Sequence, residues 1–249
     1  MIRANCRKRF TKEDFDFIAS ALAKNQKSQQ ALLTDLLTDA HSLDLLLDND
    51  MLLQQIMKDR KLARISPFLY FYVLTRKVFR DNKIDDRDIA DYVACMLAKF
   101  SSAQRAHNIS PAHNQNYQYL VDMVQDAAQA SSFEAFLIRS HLGNYALFMT
   151  GFFPDYIYHK STYGRKAPGF EYYEQMGKSS YHLASQHEIA SMYSLGEILA
   201  TLAERFRTVR LALNQLADNY VHLDSRKPGL DKMLRQIFFG GPDPKQLDN

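Results

Sequence analysis

The sequence predicts an all-α protein, and three observations carry that prediction. Apolar residues recur at helical spacing along nearly the whole chain. Only nine glycines and seven prolines punctuate 249 residues, too few for the many turns of a β architecture. A 3-4 repeat of ten apolar positions, from Met192 through Leu195, Leu199, Leu202, Phe206, Val209, Leu213, Leu216 and Tyr220 to Leu223, forms an unbroken heptad seam. About nine to eleven helices are expected in one bundle-like domain over 1–249, with a long heptad-patterned helix at 192–223 near its centre. The polar loop 101–116 marks the place where a subdivision would fall.

The elements follow in order. Thr11 is an N-cap before "KEDFDFIASALAKN", with Phe10 and Phe15 spaced as a hydrophobic staple. A second helix is expected over 28–40, with Leu32, Leu33, Leu36 and Leu37 on one face. "HSLDLLLDNDMLLQQIMKDR" reads as one interrupted helix or two short ones, broken at Asp48-Asn49-Asp50. Ser66 and Pro67 are a cap and a first helical residue, and the helix they open is apolar almost all round from Phe68 to Leu74. It should therefore run through the centre of the fold. Asp85 or Asp86 caps the next helix, whose buried stripe is Ile89, Val93, Met96, Leu97 and Phe100.

"SSAQRAHNISPAHNQNYQY" contains no acid and reads as a loop. Helices resume over 116–130 and again after Ser131 or Ser132, the latter stopped by Gly151, with a short helix restarting at Pro154. Pro168 or Gly169 starts the helix that follows. The flanks of the heptad seam lack the alternating Glu/Lys pattern that selects a coiled-coil partner. A seam packed inside its own bundle and a seam that forms a dimer both remain open.

Bulk composition narrows the compartment more than the chemistry. The net charge of +3 is too small to imply nucleic acid or an anionic membrane. Cys6 and Cys95 form no spacing motif, and no signal-like apolar segment opens the chain, so a reducing, cytoplasmic setting is expected. The longest apolar stretch, 136–153, is interrupted by Arg139, Ser140, His141 and Asn144, and no membrane span is expected. The basic start, "IRANCRKRF", reads as a disordered or helix-preceding arm.

Familiar catalytic motifs fail in turn. Di-iron bundles need Glu-x-x-His, because residues three apart address one metal from one helix face. No glutamate here has a histidine three residues later. Neither a His-Asp pair, an HExxH, a zinc-spaced cysteine pair nor a Gly-x-Ser-x-Gly elbow occurs. No metal and no cofactor are expected.

One segment remains. Six of the fourteen tyrosines lie between Tyr156 and Tyr181, mixed with basic residues and histidine. Arg165 and Lys166 precede a helix N-terminus, where exposed N–H groups and the helix dipole suit an anion. On that helix Glu171, Glu174, Lys178, His182 and Ser185 share one face, and Tyr173, Met176, Ser180, Leu183 and His187 the adjoining one. Tyr156, Tyr163, Arg165, Lys166, Glu171, Glu174, Lys178 and His182, with His141 facing them, are the candidate ligand-binding set. The plainer account is a surface ion pair and tyrosines that pack their rings with wet hydroxyls. Three functional readings follow: a self-associating helical module with a protein partner or a second copy, a small-ligand-binding or catalytic protein, and, weakest, a nucleic-acid-associated protein.

Overall fold

A computed structural model of the chain describes residues 1–23, 27–58, 65–101, 120–163 and 168–221. All its regular structure is helical: thirteen α-helices among the described residues, more than the nine to eleven expected, because the one long helix expected at 192–223 is divided and the stretch 41–60 takes its two-helix form. Packing separates residues 2–96 from a second unit comprising 97–249 and Met1. The loop 101–116, the expected place of a division, lies almost wholly outside the described residues.

In the unit 2–96, the basic arm is ordered. Cys6 is buried, and Arg7–Arg9 form a single 3-10 turn. Helix α1 (Lys12–Leu22) carries the capping box of Thr11 and Asp14, and Phe10 meets Phe15 edge-on with ring centroids 6.2 Å apart, the expected staple. Asp14 also reaches the next long helix: it accepts from Ser66 N at 2.7 Å and from the Ser66 hydroxyl at 2.6 Å. Ser66 in turn caps α5 (Pro67–Asp81) by accepting from Leu69 N. One buried carboxylate therefore ties two helix starts together.

Three short helices, α2 (Lys27–Leu36), α3 (Ala40–Leu47) and α4 (Asp50–Lys58), precede α5. The break at Asp48-Asn49 is real, and Asn49 accepts from Met51 N at 2.9 Å. Helix α5 buries Leu69 through Arg76 almost continuously, as its all-round apolar pattern requires. Helix α6 (Arg87–Phe100) is capped by Asp86, which accepts from the backbone of Asp88 and Ile89. Its expected stripe is buried, as are Tyr92, Ala94 and Cys95 between the stripe positions.

In the second unit the central element is α8 (Ser132–Phe152), buried from Ser140 to Phe152 without interruption. It packs against α7 (Leu120–Gln129), α9 (Pro154–Tyr163), α10 (Phe170–Ser185) and the penultimate described element, α13 (Phe206–Leu216). Asn144, the polar residue that interrupts its apolar run, accepts from the Tyr181 hydroxyl at 2.8 Å. Gly151 lies inside the last turn rather than ending it. A Cβ there would stand 2.8 Å from the Leu213 Cβ, so the glycine permits the crossing of α13. Gly143 and Gly177 serve the same purpose against Tyr181 and Phe206.

The long helix expected at 192–223 is not one helix. It is divided into α11 (Glu188–Met192), α12 (Gly196–Glu204), α13 and a π turn at Ala217–Val221, with Leu223 outside the described residues. Ser194 adopts a left-handed φ of 54°, which ends α11 and redirects the chain. Met192 is consequently 77% exposed. Leu195, Leu199, Leu202, Phe206, Val209, Leu213 and Leu216 are nonetheless all buried, so the seam faces its own chain, and α8 rather than the seam is the central helix of its unit. Among the described residues no helix is long and apolar enough to cross a membrane.

Candidate functional site

The tyrosine-rich segment folds as two helices, and its residues separate into three groups. Gly169 is the N-cap of α10, as expected, without a side-chain cap; Arg165 and Lys166 lie outside the described residues. The buried face of α10 is Tyr173, Gly177, Ser180, Tyr181 and Ala184. That differs from the expected apolar face, since Leu183 is exposed. The glycine at 177 sets the line of closest approach, and the buried stripe centres on it instead of on the larger apolar residues.

The first group is aromatic. Tyr156, Tyr172 and Phe170 pack against a core of Met123, Ile138, Leu142, Tyr145, Met149, Ile157 and Tyr173, drawn from α7, α8, α9 and α10. Burial pushes the Tyr173 hydroxyl up to about 12, with neighbouring Tyr156 and Tyr172 adding to it, and Tyr145 is raised further. Lys160 places its ammonium 5.5 Å from the Tyr156 ring centroid. Tyr163, by contrast, is 81% exposed and stacks on His159.

The second group is ionic. Glu174 pairs with Lys178 at 2.9 Å, one turn along α10, and with Arg210 of α13 at 3.5 Å. The Arg210 guanidinium lies 4.9 Å from the Phe170 ring centroid and donates to Asn214 at 3.1 Å. Burial lowers the pKa of Arg210 against the opposing pull of Glu174. Arg210 was not among the sequence candidates, because its contact with Glu174 spans two helices that no local spacing links.

The third group stands apart. Glu171 and His182 are exposed, and His182 meets only Gln186 of its own helix among the hydrogen bonds described for it. His141 is buried on α8 with its ring edge-on to Phe100 at 5.6 Å. His187, assigned to the α10 face, instead caps α11: its Nδ1 accepts from Ile189 N, and its Nε2 lies 2.8 Å from the Ser132 hydroxyl.

The densest polar cluster among the described residues is elsewhere, in the unit 2–96, and sequence reasoning missed it. Arg76 is 1% exposed, yet it donates from Nε and Nη2 to both oxygens of Asp48 at 3.0 and 2.8 Å, and to Asp85 at 3.1 Å. Arg87 shares Asp48 at 2.8 Å and approaches Asp44 at 3.5 Å. Arg7, from the arm, donates to Asp44 at 2.7 Å and Asp91 at 3.1 Å. Burial works to raise the Asp48 carboxyl, but Arg76 and Arg87 outweigh it and hold the group below its usual value. Tyr72, beside these guanidiniums, is pushed up to about 12 by its burial.

Each arginine here already has carboxylate partners, so the cluster reads as a structural clasp joining the arm, α3, α5 and α6. No group of three or more His, Cys, Asp or Glu side chains among the described residues is placed to hold a metal ion. The chain matches no protein-family model, no curated protein and no solved structure.

Proposed function

We propose that the protein is a helical association module and that its contact face is the leucine stripe of α2. The observation that carries this reading is the exposure of Leu32 at 65% and Leu36 at 47%, one turn apart, with Leu45 of α3 at 58%. The seam leucines from Leu195 to Leu216, by contrast, are fully enclosed. Helix α2 carries only Lys27 and Asp35 as charged residues, so little opposes desolvation of this face. A stripe of this kind is self-complementary, and a second copy of the chain is the partner it suits.

Sedimentation across a concentration series tests the proposal. Self-association should appear in the unmodified protein and disappear in Leu32→Glu/Leu36→Glu, with helical content unchanged. A protein that stays monomeric at the highest concentrations would overturn it.

A second reading, a small-ligand pocket, draws on the half-buried Glu174 between Lys178 and Arg210 beside the aromatic wall of Tyr156, Tyr172 and Phe170. In that reading Lys178 and Arg210 supply the positive charge that an anionic ligand needs. Titration calorimetry with inorganic phosphate, against Glu174→Gln and Arg210→Ala, distinguishes it: heat that vanishes in Arg210→Ala supports the pocket, and no heat in any form removes it.

A further inference from the structure

Cys6 and Cys95 are the chain's two cysteines, and the fold brings them together from opposite ends of one unit. Neither is in a disulfide in the structure, and both are fully buried. The arm is registered on α6 by Asp91, which accepts from Cys6 N at 2.8 Å and from Arg7 N at 3.0 Å. Cys95 lies one helical turn beyond Asp91 on the same face and donates its thiol to Asn5 Oδ1 at 3.4 Å. The Cys6 thiol donates to the Phe68 carbonyl at 3.3 Å and is a hydrogen-bond neighbour of the Cys95 thiol.

We propose that Cys6 and Cys95 form a reversible intramolecular disulfide that staples the N-terminal arm to α6. In the docked arm, burial holds the Cys6 thiol strongly in its protonated form, and the thiolate is the reactive species. Exchange therefore begins when the arm lifts. Lifting breaks the Asp91 bonds to Cys6 N and Arg7 N and the Arg7 pairs with Asp44, Asp88 and Asp91, so the lifted arm is a minor, transient state.

The oxidant is a low-molecular-weight disulfide. Cys6, its proton lost to water, attacks one sulfur, forms a mixed disulfide and expels one small thiolate. Redocking presents Cys95, which loses its proton, attacks the Cys6 sulfur and expels the second small thiolate. The protein gives up two electrons and two protons, and the small disulfide is reduced to two thiols. With no third cysteine, no competing pairing exists within one molecule.

The experiment uses the full chain, reduced and then incubated with oxidised glutathione. Free thiols are alkylated, and the cysteine-containing peptides are mapped by mass spectrometry. A peptide linking Cys6 to Cys95 is expected, together with tryptic cleavage after Arg3, Arg7, Lys8 and Arg9 roughly tenfold slower in the oxidised protein. Dithiothreitol should restore both. Thiols that stay free, separate glutathione adducts at the two positions, or disulfide-linked dimers would each overturn the proposal. So would a linked peptide with unchanged cleavage, since the bond would then not hold the arm. These readouts require no cysteine variant and do not depend on one folding.

Discussion

Asn214 closes the end of the helix that Gly151 belongs to: its Nδ2 donates to the Gly151 carbonyl at 2.7 Å and to the Thr150 carbonyl at 3.0 Å. These are among the last carbonyls of α8, which have no acceptor role inside the helix. Arg210 holds the other end of the amide by donating to Asn214 Oδ1. Asn214→Ala should cost about 1–3 kcal/mol, because it leaves buried carbonyls without donors. Urea denaturation reads this directly, and an unchanged midpoint would mean that water replaces the amide.

The close crossing of α10 can be tested at Gly177. A Cβ there would meet the Phe206 ring at 2.5 Å and the Ala146 Cβ at 2.9 Å. Helix propensity alone favours alanine over glycine by about 1 kcal/mol. Overpacking opposes it with roughly 1–3 kcal/mol, and both obstacles are themselves buried in the crossing. Gly177→Ala is therefore expected to lower the thermal midpoint. A rise would show that α10 can slide outward at little cost.

Removing one charge from the arginine clasp should be severe. Asp48→Asn leaves the buried Arg76 with only the exposed Asp85 as a charged partner, at a cost of about 3 kcal/mol. The pH dependence has a definite sign. Asp48 is depressed in the folded state, so its contribution is complete above the unfolded value near 3.9 and is lost as pH falls through the lower folded value. The variant should show a flatter acid limb in stability measured against pH. An acid limb as steep as that of the unmodified protein would place the linkage on other carboxylates.

The alkaline limb has the opposite origin. Burial pushes Tyr70, Tyr72 and Tyr173 up to about 12, so the folded state keeps protons that the unfolded chain releases near 10. Stability is then complete below about 10 and declines as pH rises through 12. In a tyrosinate absorbance titration these residues should ionise late and together with loss of helix. Full ionisation near pH 10 with the fold intact would contradict their burial.

Local chemistry was legible wherever a signal acts within one turn. The Thr11 box, the Ser66-Pro67 start and the Phe10–Phe15 staple follow from neighbouring residues, and the structure contains them. The all-helical class and the burial of α5 follow from period and apolar content. Arg76 was not legible: nothing nearby in sequence announces a buried arginine, because Asp48 lies 28 residues away in the break between α3 and α4. The same distance problem hid Arg210 beside Glu174 and Cys6 beside Cys95. In the tyrosine-rich segment the helix start at Gly169 was readable, but the facing of α10 was not. It is decided by a glycine whose importance lies in what Phe206 does across the gap.

The division of the seam at Ser194 and Arg205, and the π turn after Leu216, has a geometric consequence for the repeat itself. A straight α-helix falls out of phase with a seven-residue repeat by about 20° per heptad. The three heptads from Leu195 to Leu216 would accumulate roughly 60°, carrying the stripe off any flat neighbour unless the helix coiled around a partner. Each interruption resets that angle. The chain thereby keeps a coiled-coil periodicity while using short, uncoiled segments, and every knob of the repeat from Leu195 to Leu216 stays aimed inward without a second helix to wind upon.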